Sequence, residues 1–179
     1  MTTWVLFAGL PGTGKSTLAK ALAQRLGSVA ILDKDRVRSA LFPGALTDYS
    51  REQDQLCMGA LLQAAAYLTE HRKARYIFFD GRTFSTQAQI AQVVQRATEV
   101  GARWRILHLT CTDAVAEERL ARSDPGHPAK NRDSALYRSI KQHFEPILQP
   151  RLEVDTTWGV DRELAAIEDY LAGGDDGLR

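Results

Sequence analysis

The sequence predicts an α/β fold, a three-layer α/β/α sandwich built on a five-stranded parallel sheet with a small lid. Five short apolar runs alternate with segments whose apolar residues recur at helical spacing, the pattern of a parallel sheet covered on both faces. The first run leads straight into a glycine-rich turn of the phosphate-binding kind. At 179 residues the chain is long enough for one domain whose core needs neither metal nor disulfide.

The first strand is Trp4–Ala8. Behind it Gly9, Leu10, Pro11, Gly12, Thr13, Gly14, Lys15, Ser16 and Thr17 form the binding loop, which makes the sandwich one of P-loop NTPase type. Gly9, Gly12 and Gly14 let the backbone turn tightly with its N–H groups inward, where side chains would obstruct approaching phosphates. Lys15 adds positive charge for the outer phosphates. The Ser16 hydroxyl is placed for a magnesium ion, and the helix starting near Lys15 aims its positive dipole end at the same point. The expected cofactors are therefore ATP and Mg2+. Leu18, Leu22 and Leu26 give that helix one apolar face, and Gly27 is its expected stop.

The remaining strands are expected at Val29–Leu32, Tyr76–Phe79, Trp104–Leu109 and Leu152–Val154. Helices are expected near 34–41, 51–71, 86–100, 113–122, 133–145 and 160–172. The 51–71 helix carries Leu56, Leu61, Leu62, Ala65 and Leu68, so it is expected to pack on the sheet or frame an acceptor cavity, with Met58 as core. In such sheets ligands sit outside the carboxyl ends of the strands. Three strand ends carry chemistry by that rule: Gly9–Ser16, Asp33–Arg38 and Asp80–Arg82.

After the second strand, two carboxylates and three cations stand where an acceptor would meet a transferring phosphoryl group. Asp35 is the candidate base, orienting the attacking hydroxyl and accepting its proton. Arg38, three residues on and hence on the same helical face, suits a phosphate or carboxylate through its planar fork. Asp33 fits an N-cap, and Lys34 and Arg36 read as an ordinary solvated face. Asp80 ends the third strand, the position from which an acid reaches the metal ion held by Ser16. Arg82 and Thr83 follow it as weaker acceptor contacts.

Arg119 and Arg122 end the fifth expected helix. The stretch 123–132 after it, with Pro125, Gly126 and Pro128, has the composition of a mobile cover, and Lys130 and Arg132 precede the next helix. Arginines brought over the nucleotide on closure would neutralise transition-state charge and exclude water. Arg119 is accordingly a nucleotide-binding candidate, and Lys15, Asp35, Arg38 and Arg122 are the catalytic ones. His127 reads as a loop residue rather than a metal ligand. The domain is expected to span 1–172, with 173–179 a flexible tail.

The 23 basic and 22 acidic residues leave a formal charge of +1, so nothing global draws the chain to nucleic acid or an anionic membrane. Cys57 and Cys111, far apart in apolar segments, read as buried thiols of a reducing compartment. The amino terminus has no signal-peptide pattern, and no apolar run approaches the roughly 20 residues of a membrane span. A cytoplasmic location follows as an expectation; oligomeric state leaves no mark.

On these residues the chain resembles a P-loop kinase of the group that holds polynucleotide 5'-hydroxyl kinases, zeta toxins and chloramphenicol phosphotransferases, an AAA_33-type ATP-binding protein. The motifs are Gly9–Thr17, Asp33–Arg38, the strand end Asp80–Phe84 and the arginine-bearing helix with its lid, so the likeness covers nearly the whole length. In polynucleotide kinases an Asp followed three residues later by Arg, after the second strand, supplies the base and the arginine that contacts the acceptor phosphate; Asp35 and Arg38 match that spacing. The lid helix of that group has two arginines four apart, whereas here Ser123 stands at that distance from Arg119, with Arg122 one place early. Leu32–Arg38 is also similar to adenylylsulfate kinases, which have an Ile-Ser-Pro-like turn where this chain has Phe79–Arg82.

The resemblance implies an ATP-dependent kinase acting on a hydroxyl. The near-neutral charge and lack of a basic, aromatic-interleaved strip favour a small-molecule acceptor over a long nucleic-acid footprint. A nucleic-acid terminus remains open as acceptor, because an enzyme that grips only the terminal nucleotide need not be strongly basic. An adenylylsulfate kinase-like enzyme and a nucleotide-dependent switch are the further readings. The switch lacks both an Asn-Lys-x-Asp base-reading element and the length of a sensor domain.

Overall fold

A computed structural model describes residues 1–122 and 134–173. The chain runs β1 (Thr3–Ala8), α1 (Lys15–Leu26), β2 (Val29–Asp33), α2 (Lys34–Leu41), α3 (Arg51–Glu70), β3 (Tyr76–Asp80), α4 (Gln87–Glu99), β4 (Arg103–Thr110), α5 (Asp113–Ala121), α6 (Ser134–Gln142), β5 (Leu152–Asp155) and α7 (Val160–Ala172). The lid predicted over 123–132, with His127, Lys130 and Arg132, lies outside the described residues, as does all of the predicted tail beyond Gly173.

The five strands form one parallel sheet in the order β2-β3-β1-β4-β5. After β1 the chain builds one side of the sheet with β2 and β3, then crosses to the other with β4 and β5. The carboxyl end of β1 is therefore the switch point, where a crevice opens for a ligand.

Strand alternation divides the core. Trp4, Leu6 and Ala8 of β1 pack with Ile77, Phe79 and Ile106 against α3 and α4. Val5 and Phe7 pack with Phe78, Leu107 and Val154 against Leu18 and Leu22 of α1 and Leu164 and Ile167 of α7. These are the three layers the sequence predicted, and β1, buried on both faces, reads as a continuous apolar run. Ala116 and Leu120 of α5 and Tyr137 of α6 form a smaller cluster against Leu10 of the phosphate-binding loop.

Two expectations need correction. Leu56 is 60% exposed, because α3 turns Cys57, Met58, Leu61, Leu62 and Ala65 to the sheet, a stripe that leaves position 56 outside. The sixth helix stops at Gln142 rather than continuing to 145. Glu145 instead ties the chain to α4, its N–H donating to Ser85 O at 2.9 Å and its carboxylate accepting from Gln87 N at 2.6 Å, and Pro146 follows without a backbone donor.

Candidate active site

The loop between β1 and α1 ends on Gly14, the N-cap of α1 at φ 83°, and no side chain caps that helix. The first-turn N–H groups of α1 thus face the crevice with the helix dipole behind them. Gly9 and Gly12 also have positive φ, 142° and 81°. The obstacle to a side chain there is nearer than any phosphate. A Cβ on Gly9 would run into Leu109 O, and one on Gly12 would stand 2.7 Å from Ala116 O. The loop is glycine-rich because it is pressed between the end of β4 and α5. Lys15 Nζ donates to Gly9 O at 2.8 Å and Leu10 O at 2.7 Å, which holds the ammonium against the loop it serves.

Lys15 and Ser16 open onto a cleft of about 620 Å³ whose other walls are α2, α3, the end of β3, α4 and α6. Asp35, Arg38 and Asp80 all line it, so one cleft collects the candidates from the three strand ends. Asp80 is 3% exposed, and its Oδ1 is enclosed with no hydrogen-bond partner among the described residues. A buried carboxylate oxygen without a donor is what a hard cation satisfies, and the Ser16 hydroxyl on the same cleft is a second oxygen donor of the right kind. These residues fit magnesium.

Asp33 caps α2: its Oδ1 accepts from the N–H of Asp35 at 2.9 Å and of Arg36 at 3.2 Å. That fixes the start of the helix and sets Asp35 and Arg38 on one face. Burial pushes the Asp35 carboxyl up to about 6; the Lys34 charge works against this and the Asp33 charge with it. A carboxylate tuned to that range is suited to accept a proton near neutrality. Arg36, with its side chain 71% exposed, is the solvated residue expected.

Lys34 is not on a solvated face. Its side chain is 12% exposed and its Nζ lies 2.6 Å from Asp54 Oδ1, because α3 folds its first turn over the start of α2. Asp54 is the functional candidate that sequence reasoning missed. It also pairs with Arg38, Nη2 to Oδ1 at 2.7 Å, and with Arg82, Nη2 to Oδ2 at 2.9 Å. In the sequence it reads only as an acid favourable to a helix dipole, beside Glu52. Burial would raise its carboxyl, but Lys34, Arg82 and Arg38 together hold it below the ordinary carboxylate range. Arg38 further stands over the Tyr49 ring at 5.2 Å, and Tyr49 itself has φ 56°, a left-handed conformation unusual for an aromatic residue.

On the other side of the loop a second hollow of about 750 Å³ lies between Gly12, Gly14 and Thr17, α5, and the segment Thr156–Val160. Arg119 and Arg122 line this hollow and not the cleft of Asp35. Arg119 is fixed by Thr156, whereas Arg122, 78% exposed in its side chain, pairs along the helix with Glu118 at 2.6 Å. Cys57 and Cys111 are both free thiols.

The model of the family described as AAA domain, AAA_33, matches residues 5–147, which holds the loop, the cleft and both hollow-lining arginines. The chain belongs to the AAA_33 family. No curated protein matches it by sequence. Solved structures similar to this AAA_33 chain include a candidate kinase from Chloroflexus aurantiacus, 22% identical over 95% of this chain and 96% of that one, with a TM-score of 0.72. A sugar kinase from Janibacter sp. is 14% identical over 96% and 95% of the two chains, TM-score 0.70. The APS kinase of Mycobacterium tuberculosis, solved with AMPPNP and APS, is 17% identical over 96% and 98%, TM-score 0.68. At these identities the likeness is one of fold. Among the described residues of this AAA_33 chain no helix is long and apolar enough to cross a membrane.

Proposed function

We propose that the chain is an ATP- and magnesium-dependent phosphotransferase, a single domain over 1–172 that moves the γ-phosphoryl group to a hydroxyl of a small molecule. The observation that carries this reading is the meeting of Asp35, a carboxyl raised to about 6, with Lys15, Ser16 and Asp80 in one cleft. The sugar kinase and the APS kinase of similar fold support it as analogy.

In this reading the loop amides and Lys15 hold the β- and γ-phosphates, and the hollow beyond Arg119 and Thr156 takes the base and ribose. Ser16 and Asp80 would hold magnesium, which when bound neutralises charge on the phosphates. Asp35 accepts the proton of the acceptor hydroxyl as its oxygen attacks the γ-phosphorus, the bond to the β-phosphate oxygen breaks and ADP leaves. An acceptor that displaces water from the cleft as it binds favours transfer over hydrolysis.

The test is a screen of alcohols, sugars, nucleosides, antibiotics and oligonucleotides for ATP-dependent mass gain, repeated with Asp35→Asn. Phosphorylation of one class by the wild type and its loss in the variant is expected. Hydrolysis of ATP indifferent to every acceptor, with tight binding of a protein partner, would favour the switch instead. A second acceptor reading, a polynucleotide 5'-hydroxyl end, draws on Asp35 and Arg38 sharing one face of α2 in the cleft. Labelling of a 5'-hydroxyl oligonucleotide from ATP decides it.

A further inference from the structure

One wall of the cleft is built of amides. Gln55 of α3 and Gln89 and Gln92 of α4 all line it, and the latter two stand three residues apart on one helical face. Their orientation is set by what their oxygens accept. Gln92 Oε1 takes an N–H of the buried Arg82 at 3.3 Å, and Gln92 Nε2 donates in turn to Gln55 Oε1 at 3.2 Å. Gln89 Oε1 takes the Ser85 N–H at 2.9 Å. The oxygens are thereby occupied by the protein, whereas the NH2 groups of Gln55 and Gln89 donate to no group among the described residues.

This ledge adjoins the candidate base. Arg82 follows Gly81, where a Cβ would stand 2.9 Å from Asp35 N, so the cation that orients Gln92 is one residue from the backbone packed on Asp35. Leu136 and Ile140 of α6, four residues apart, bring an apolar strip to the same cleft.

Charge in the floor of the cleft is already matched. Asp54 takes Lys34, Arg38 and Arg82, Asp35 is 3.9 Å from Lys34, and the Arg38 charge also acts on Asp48. With Asp80 on the same cleft, those three cations face four carboxylates, and Arg51 stands at the rim, exposed. Nothing in that floor favours an acceptor of negative charge.

Neutral donors beside an apolar strip match a ligand whose oxygens ring a C–H surface. We propose that the acceptor is a neutral polyol or monosaccharide, its hydroxyl oxygens accepting from the amides of Gln55, Gln89 and Gln92 and its C–H face lying on Leu136 and Ile140. The word acceptor rests on the phosphotransferase reading; the polyol site does not. A hydroxyl accepts from an amide and still donates, so neighbouring hydroxyls satisfy the ledge without a charge. An analogue lacking one of them leaves an amide unpaired. Arg82 is a positioning residue, acting through Gln92.

The probes are D-glucose, D-ribose, xylitol and myo-inositol, titrated into protein saturated with magnesium and AMPPNP and read by saturation-transfer NMR and by the glutamine side-chain amide signals. At least one is expected to bind and to shift the Gln89 and Gln92 signals, and its deoxy, sugar-acid and sugar-phosphate counterparts are expected to bind more weakly. Gln92→Met, and Gln89→Met which leaves Arg82 its partners, are each expected to weaken binding about three- to tenfold. Gln95→Met, on an exposed part of α4 against Glu99, is expected to leave it unchanged. No binding of any of the four probes, tighter binding of an anionic counterpart, or amide signals that do not move would overturn the proposal, as would unchanged affinity in both Gln89→Met and Gln92→Met. If AMPPNP fails to bind, the phosphotransferase reading fails by itself, and the same titration without nucleotide still decides the polyol site.

Discussion

Arg119 holds Thr156 twice, Nη1 donating to its hydroxyl and Nη2 to its carbonyl, each at 2.8 Å. The Thr156 hydroxyl in turn donates to Thr110 O at 3.2 Å, and Arg119 Nη1 also reaches Gly12 O at 3.5 Å. One guanidinium thereby ties α5, the phosphate-binding loop and the segment after β5 around the second hollow. Arg119→Ala is expected to weaken binding of magnesium-AMPPNP roughly tenfold and to lower stability by about 1–3 kcal/mol. Thr156→Val, which keeps the carbonyl contact, is expected to show a smaller loss of both. Calorimetric titration with a denaturant curve checks the pair; intact nucleotide affinity in Arg119→Ala would make it a structural clamp only.

Lys15 donates to two carbonyls, both of them local to the loop, and its side chain belongs to neither face of the core. Lys15→Ala is expected to abolish ATP-dependent turnover while the thermal midpoint moves by only a few degrees. Unchanged ATP turnover in this variant would reject the nucleotide assignment.

Asp35 sets a pH dependence with opposite signs for activity and stability. As the base it must be ionised, so kcat should rise with pH through about 6 and level off above it. Its folded value lies above the ordinary 3.8, so the native state holds more protons than the unfolded chain between those two values, and stability falls as pH rises through that window. Asp35→Asn removes the buried charge. It should lower turnover by about 10²–10⁴-fold and yet stabilise the protein at pH 7, by at most about 3 kcal/mol. Turnover within a few-fold of wild type would show that Asp35 is not the base.

Gly81 has φ 75°, and a Cβ there would stand 2.7 Å from Asp33 Oδ1 and 2.9 Å from Asp35 N. The contact falls on the cap of α2 and the backbone of the candidate base. Gly81→Ala is therefore expected to displace the start of α2 and reduce kcat by about tenfold or more, with little change in nucleotide affinity. Steady-state kinetics beside a binding titration separates the two; loss of nucleotide affinity with kcat preserved would contradict the placement.

The layers of the fold were legible because they depend on local periodicity. Val5 and Phe7 alternate with Trp4, Leu6 and Ala8, Leu18 and Leu22 recur at one helical turn, and neither pattern needs a partner to be read. The P-loop was legible for a similar reason: its glycines, lysine and serine are contiguous. Asp33 could be read as a cap, since a cap bonds only to N–H groups two and three residues on. Leu56 misled because hydrophobicity alone does not say where the edge of a helical stripe falls.

The sequence by itself determined the parallel sheet, the phosphate-binding loop behind its first strand and the acids at two further strand ends. Only the tertiary structure decided what surrounds those acids. Asp54 lies 20 residues from Lys34, 16 from Arg38 and 28 from Arg82, and it meets all three only when α3 crosses the start of α2 beside the end of β3. Arg119 and Thr156, 37 residues apart, meet by the same kind of packing. Periodicity along a chain records which face each element buries, whereas ion pairs between elements depend on distances that no local pattern encodes.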